Sequence, residues 1–289
     1  MTDLQKAYKY CRSVTRTAAK NFYYAFLTLP KNKRNAIYVI YAFCRYCDDA
    51  VDSEASQYDK IQTLHKLRES LTNYGIPSSP VFLALHDVIN KFGIPLEYFE
   101  SLITGMEMDL VTNRYQDFVE LRQYCYRAAS TVGLMCIHIF GFSDPKAEKY
   151  AVDLGLAMQL TNICRDVRED LMLGRVYLPL DEMNRFGYSF EELGSGTNTP
   201  AFNNLMRFQV ARARQYFESG LMILEYLDRN SRLCTSVLGS LYIALLDKME
   251  HIDYDVISHR VSLGFYGKLK ILLKTWVTMT VLRWYPNQR

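Results

Sequence analysis

A chain of 289 residues, 49% hydrophobic and 22% charged, is globular and long enough to enclose a deep pocket within one large domain or two small ones. Its formal net charge of +3, with no Lys/Arg block before the C-terminus, gives no reason to expect nucleic acid as a partner. The 14 Gly and 8 Pro are few for this length and favour long uninterrupted helices, while 22 Tyr and 15 Phe fill either ordinary positions or the wall of a large aromatic cavity. Met1 to Lys20 carries no apolar h-region, and no window approaches the ~18 apolar residues that span a bilayer. Seven cysteines in helical contexts read as reduced thiols of a cytoplasmic protein. Cys44 and Cys47 form a lone C-x-x-C with no βαβ pattern, read as small buried core residues rather than a metal or redox pair.

Nearly every segment carries the helical period. Leu4, Ala7, Tyr8, Cys11 and Val14 stripe a first helix. After Pro30 a helix from about Asn32 to Ser53 is apolar on most sides (Ala36, Ile37, Val39, Ile40, Ala42, Phe43) and should be central. Ile61, Leu64, Leu67 and Leu71 mark the next, ending near Gly75. Ser79-Pro80 opens another with an N-cap and a proline at N1, and Gly93 closes it. Further helices are predicted at about 95–112, 117–140, 145–173, 200–227, 230–253 and 264–284. Gly194 to Pro200 reads as a surface loop, since the helical period resumes on both sides. No strand alternation longer than a few residues and no repeat of fixed period occurs. The prediction is an all-α fold with residues 1–289 as a single domain.

Two aspartate clusters carry the chemistry. The first is Cys44-Arg45-Tyr46-Cys47-Asp48-Asp49-Ala50-Val51-Asp52; the second runs from Gln159 through Asn162, Arg165, Asp166, Arg168 and Glu169 to Asp170. In each, two aspartates lie four residues apart, so on a helix they share one face. Asn162, Asp166 and Asp170 occupy i, i+4 and i+8, and Gln159 lies a turn before Asn162. Surface Asp/Arg pairs at such spacing are usually solvated and of little energetic value. Here the surroundings of Asp48 and Asp52 are apolar, where unpaired carboxylates would be costly to bury. Two carboxylate walls facing one cavity would draw divalent cations. Mg²⁺ is the natural candidate, because it takes few carboxylates and fills its octahedron with water and phosphate oxygens. That combination points to a diphosphate. Arg45 stands three residues before Asp48 as a phosphate ligand or a carboxylate partner, and Asp109 adds an acid among apolar neighbours.

At these residues the chain resembles the squalene/phytoene synthase family, the head-to-head prenyl transferases of the isoprenoid synthase fold. Asp48-Asp49-Ala50-Val51-Asp52, after Tyr41-Ala42-Phe43-Cys44-Arg45, is similar to the family's first aspartate-rich motif. Asn162 to Asp170, followed by Gly174-Arg175-Val176-Tyr177-Leu178-Pro179, is similar to the second. Tyr124 to Gly133 resembles a third block, and Asn21 to Phe26 with Leu29-Pro30 an N-terminal one, with Asn21 standing where many members carry Ser. The resemblance spans roughly residues 8–268. It implies helices around a deep central cavity. It also implies two or three Mg²⁺ held by Asp48, Asp52, Asn162, Asp166 and Asp170, and phosphate contacts from Arg45, Lys20 and Arg165. Gln159 and Asn162 would line the same wall, Asp109 and Arg175 would join the substrate site, and Tyr126 would sit near the reacting carbons.

Allylic diphosphates ionise once metal ions and Arg/Lys neutralise the leaving group, and a closed apolar cavity then keeps water from the cation. Aromatic faces such as Tyr126, Phe22 and Phe26 would stabilise it. A terpene cyclase or chain-elongating transferase on the same fold is the enzymatic alternative, and a helical scaffold without chemistry the other. All four acidic ligands remain, which argues against the scaffold. Phe22 and Phe26, with Tyr38 on the neighbouring helix, are expected to close the far end of the cavity against twenty-carbon tails. The expected reaction is therefore two farnesyl diphosphates to presqualene diphosphate and then squalene or dehydrosqualene, with NADPH as reductant if the product is squalene. Two geranylgeranyl diphosphates giving phytoene is the alternative. At the C-terminus Lys268, Lys270, Lys274 and Arg283 alternate with Leu269, Ile271, Leu272, Leu273, Trp276, Val277 and Trp284: either a last core helix with a basic face, or peripheral contact at the inner face of a membrane. Oligomeric state is left open.

Overall fold

The computed structural model describes residues 1–19, 22–73 and 79–284, the last five of these by backbone alone. Lys20 and Asn21 lie outside the described residues. The order is α1 Asp3–Ala18, α2 Tyr23–Phe26, α3 Lys31–Asp52, α4 Gln57–Thr72, α5 Pro80–Phe92, α6 Leu96–Val111, α7 Phe118–Cys125, α8 Thr131–Phe140, α9 Lys146–Arg165 and α10 Val167–Met172. It continues with α11 Leu180–Arg185, α12 Phe190–Gly194, α13 Pro200–Gly220, α14 Arg229–His251 and α15 Phe265–Trp284. Among the described residues there is no strand, only isolated bridges at Arg114–Val176 and Phe142–Leu227.

Local chemistry sets the helix ends. Thr2 and Ser189 close capping boxes, and Ser79 and Thr199 cap helices whose first residue is proline. Gly93 ends α5 at φ +62°, a conformation most other side chains avoid. α3 buries Ile37, Tyr38, Val39, Ile40 and Phe43 on more than one side and packs against α1, α5, α6 and α8, so it is central as its composition predicts. α9 packs most extensively on α13 and also meets α8 and α14. One contiguous apolar core joins residues from Ala7 to Val261.

Three predicted helices are interrupted. The 117–140 stretch contains a wide π turn at Tyr126–Ser130, a geometry frequent at functional sites. α9 passes so close to it that a Cβ on Gly155 would stand 2.5 Å from Ser130 Cα. The 145–173 stretch breaks at Asp166 (φ −102°, ψ 18°), between α9 and α10. The 200–227 stretch tightens into a 3₁₀ turn at Leu221–Glu225.

A buried lysine ties three helices together at the end of α3 remote from its aspartates. Lys33 Nζ donates to the Phe140 carbonyl (2.5 Å), Asp228 (2.8 Å) and Asn230 (3.0 Å). Ser231 Oγ donates to the same carbonyl at 2.9 Å. The N-termini of α3 and α14 and the C-terminus of α8 are thereby locked.

Candidate active site

The last two turns of α3 and the α9–α10 junction face each other across a polar cavity of about 370 Å³. Asp48 and Asp52 line one wall; Gln159, Asn162, Arg165, Asp166 and Asp170 line the other, with Arg175 and Asp109. The break at Asp166 leaves the wall intact, because Asp166 N–H still donates to the Asn162 carbonyl and Asp170 N–H to the Asp166 carbonyl, each at 2.8 Å. Burial, then Asp52, pushes Asp48 up to about 7. Burial, then Asp166, does the same to Asp170. Arg175 reaches from the second wall to Asp52 of the first at 3.5 Å. Arg165 holds Asp166 through two hydrogen bonds, one of 2.7 Å.

Three tyrosines stack beside the carboxylates. Tyr124 and Tyr177 have ring centroids 5.1 Å apart, and Tyr115 stands behind both. The Tyr124 and Tyr177 hydroxyls donate to the two oxygens of Asp109, at 3.0 and 2.7 Å. Burial raises Asp109, while Tyr177, Arg175 and Tyr124 oppose the rise.

An apolar channel of about 250 Å³ continues from this mouth. Gln159, Asn162, Cys44 and Ala128 border both spaces. Below them the lining is Tyr41, Tyr242, Phe22 and Phe26, then Val132, Ile37, Ile137, Phe140 and Ile223 toward the Lys33 end.

Most of the predicted residues converge here, with three corrections. Tyr126 does not line either space: it is 36% exposed. Side chains four apart share a face whereas two apart do not, so the wall takes Tyr124, Ala128 and Val132. That four-residue spacing is the signal that marks Tyr124, whereas no local pattern marks Tyr177. Arg45 pairs with Asp49 at 2.5 Å outside the lining, because i, i+4 geometry favours Asp49 over Asp48. Phe22 and Phe26 line the channel with centroids 6.2 Å apart. Tyr38 lies behind, stacked on Tyr23 at 5.6 Å. Since the lining runs on to Phe140, the rings flank a tail rather than end its path.

A mouth of acidic side chains on two helical walls above a closed hydrocarbon channel defines an enzyme that processes prenyl diphosphates. The chain belongs to the squalene/phytoene synthase family, whose sequence model matches residues 15–266, and it is a prenyl transferase of that type. It is 38% identical over 277 residues to a phytoene synthase of Mycobacterium tuberculosis, covering 94% of this chain and 91% of that one. With a 15-cis-phytoene synthase of Synechocystis it shares 38% identity, covering 97% and 87%. A crystal structure of a dehydrosqualene synthase superposes with a TM-score of 0.88 at 28% identity, covering 96% and 98%. A squalene synthase from Alicyclobacillus acidocaldarius gives 0.81 at 28%, covering 87% and 95%. The isoprenoid synthase fold is thus established. The expected use of two farnesyl diphosphates is overturned, because the relatives at 36–38% identity are named phytoene synthase. NADPH, expected only for squalene as product, loses its support as well.

Proposed function

We propose that this chain couples two geranylgeranyl diphosphates head to head and releases both diphosphates to give phytoene. The observation that carries the choice of substrate is the near full-length similarity to several phytoene synthases. The channel supports it by continuing past Phe22 and Phe26. We take residues 1–289 as one domain, supported by the contiguous core.

The donor set fits Mg²⁺. It is all oxygen; Asn162 Oδ1 is buried without a hydrogen-bond partner, and burial first, then repulsion from Asp52 and Asp166 respectively, raises Asp48 and Asp170. Among the described residues no three acidic, Cys or His side chains converge enough to hold an ion alone. Each ion would therefore complete its shell with substrate phosphate oxygens. Asp48 and Asp52 would act from α3, and Asn162, Asp166 and Asp170 from the facing wall. A metal held there would supply Lewis-acid neutralisation of the departing diphosphate, which favours ionisation of the allylic C–O bond.

The chain's own groups do the rest. Arg165 and Arg175 supply fixed positive charge, and the Arg175 guanidinium, 3.5 Å from Asp52, stands where it would donate to a phosphate oxygen. Tyr124, held by Asp109 in the polar mouth a turn before Ala128 at the junction with the channel, places a phenol hydroxyl on the diphosphate side of the site. Phe22, Phe26, Tyr41 and Tyr242 wall the space below with aromatic surface that tolerates a cation and excludes water. The first coupling releases one diphosphate and a proton and leaves a cyclopropyl diphosphate; ionisation of the second and loss of a proton give the triene core of phytoene. Among the described residues no helix is long and apolar enough to cross a membrane.

Mass analysis of products from geranylgeranyl and farnesyl diphosphate, with Mg²⁺ and with chelator, tests the reading. Phytoene from the longer donor, lost on chelation, is the expected result. Preferential conversion of farnesyl diphosphate overturns it.

A further inference from the structure

α15 is apolar on both faces. Its inner face is used: Ile271 and Leu272 pack on the core, and Thr275 Oγ1 donates to Ser240 of α14 at 3.3 Å. Its outer face is open to solvent, with Leu269 43%, Leu273 51%, Trp276 52% and Phe265 56% exposed. Phe265 meets Tyr24 edge-on at 6.1 Å, extending the patch to Tyr24 and Leu27 of the α2 region, 42% and 43% exposed. The same short helix turns Phe26 into the channel. One apolar surface thus reaches from the outside of the molecule to the wall of the hydrocarbon path. Contiguous exposed apolar area of this kind marks an interaction surface.

Charge decides the occupant. Phe265–Trp284 contains no Asp or Glu, and exposed Lys270 and Lys274 flank the apolar stripe. Two copies packed through this face would set lysine against lysine, whereas anionic headgroups complement it and a bilayer accepts the aromatic and leucine side chains. We propose that the outer face of α15, with Tyr24 and Leu27, docks this chain on an anionic bilayer, with the α2 wall of the channel held against the lipid. The functional reading supplies the need, since its product is a hydrocarbon without a water-soluble end.

The chain's two tryptophans, Trp276 and Trp284, both lie in α15, so tryptophan emission, excited to the red of tyrosine absorption, reports this helix alone. The full chain is mixed with vesicles of phosphatidylcholine alone or with an equal part of phosphatidylglycerol, then sedimented, and its emission recorded. Co-sedimentation and a blue shift with the anionic vesicles are expected. Leu269→Asp/Leu273→Asp should abolish both, and Lys270→Glu/Lys274→Glu should weaken binding roughly tenfold or more. Turnover in detergent micelles should be unchanged in each, because these side chains are remote from the carboxylate mouth. Binding that survives both variants, or no binding by a chain that makes phytoene in micelles, overturns the docking face. So does a lipid-free dimer that the aspartate variant disperses. A chain that binds vesicles through α15 yet converts no prenyl diphosphate leaves this inference standing and overturns the functional reading.

Discussion

Replacing Asp48 by Asn should stabilise the metal-free protein while abolishing turnover. Asp48 rises from 3.8 to about 7 in the folded chain, through burial first and Asp52 second. Between those values the folded state keeps a proton that the unfolded chain has released. Stability is therefore lost as pH rises through that window, and the full cost is present above about 7. At 1.36 kcal/mol per pH unit the rise corresponds to at most about 4 kcal/mol, and water at the open mouth screens this to about 2 kcal/mol. For a chain of this size that moves the unfolding midpoint by roughly 3 °C. Circular dichroism melts with chelator, at about pH 8 and about pH 4, measure it. Asp48→Asn should melt higher than the parent at the upper pH and level with it at the lower. Mg²⁺ with a non-ionisable prenyl diphosphate analogue should raise the parent above the variant. A variant that melts lower than the parent at high pH, or gains equally at both, refutes a cavity strained by its own carboxylates.

Tyr124→Phe should keep the fold and lower kcat roughly 10–100-fold, whereas Tyr126→Phe should stay near parental rate; steady-state assays of both check this, and equal effects would undo the assignment of Tyr124 to the wall. Lys33→Met leaves the Phe140 carbonyl, Ser231 and Asp228 without their cation and should cost roughly 2–4 kcal/mol; a loss below about 0.5 kcal/mol by denaturant titration would show that the lysine does not lock the three helices. Gly155→Ala puts a methyl against Ser130 backbone that cannot retreat, and should destabilise by roughly 1–3 kcal/mol, with a shifted π-turn amide signature by hydrogen exchange; unchanged melting would show that α9 has room there.

The helical architecture was legible because burial repeats at the helical period: α3, α6 and α14 fall within two residues of expectation. The carboxylate walls were legible because a spacing of four survives even the break at Asp166, where the i→i−4 hydrogen bonds persist. What stayed hidden depended on the third dimension. The Tyr124–Tyr177–Asp109 triad joins α7, the segment after α10 and α6, and no local pattern links them. Arg45 had two acidic neighbours within reach, and only the finished helix turned it toward Asp49. The depth of the channel could not be read from Phe22 and Phe26, since it ends on Phe140 and Ile223, which belong to elements far along the chain.

The lysine lock has a consequence for synthesis on the ribosome. Its partners lie 107 and 195 residues after Lys33, so through most of translation the cation exists before the groups that receive it. A nascent chain ending short of Asp228 can bury its first helices only by stranding a charge, and so has reason to stay open there. The floor of the channel then closes late, when α14 arrives, and a fragment lacking α14 should remain a substrate for proteases even though it holds both aspartate motifs.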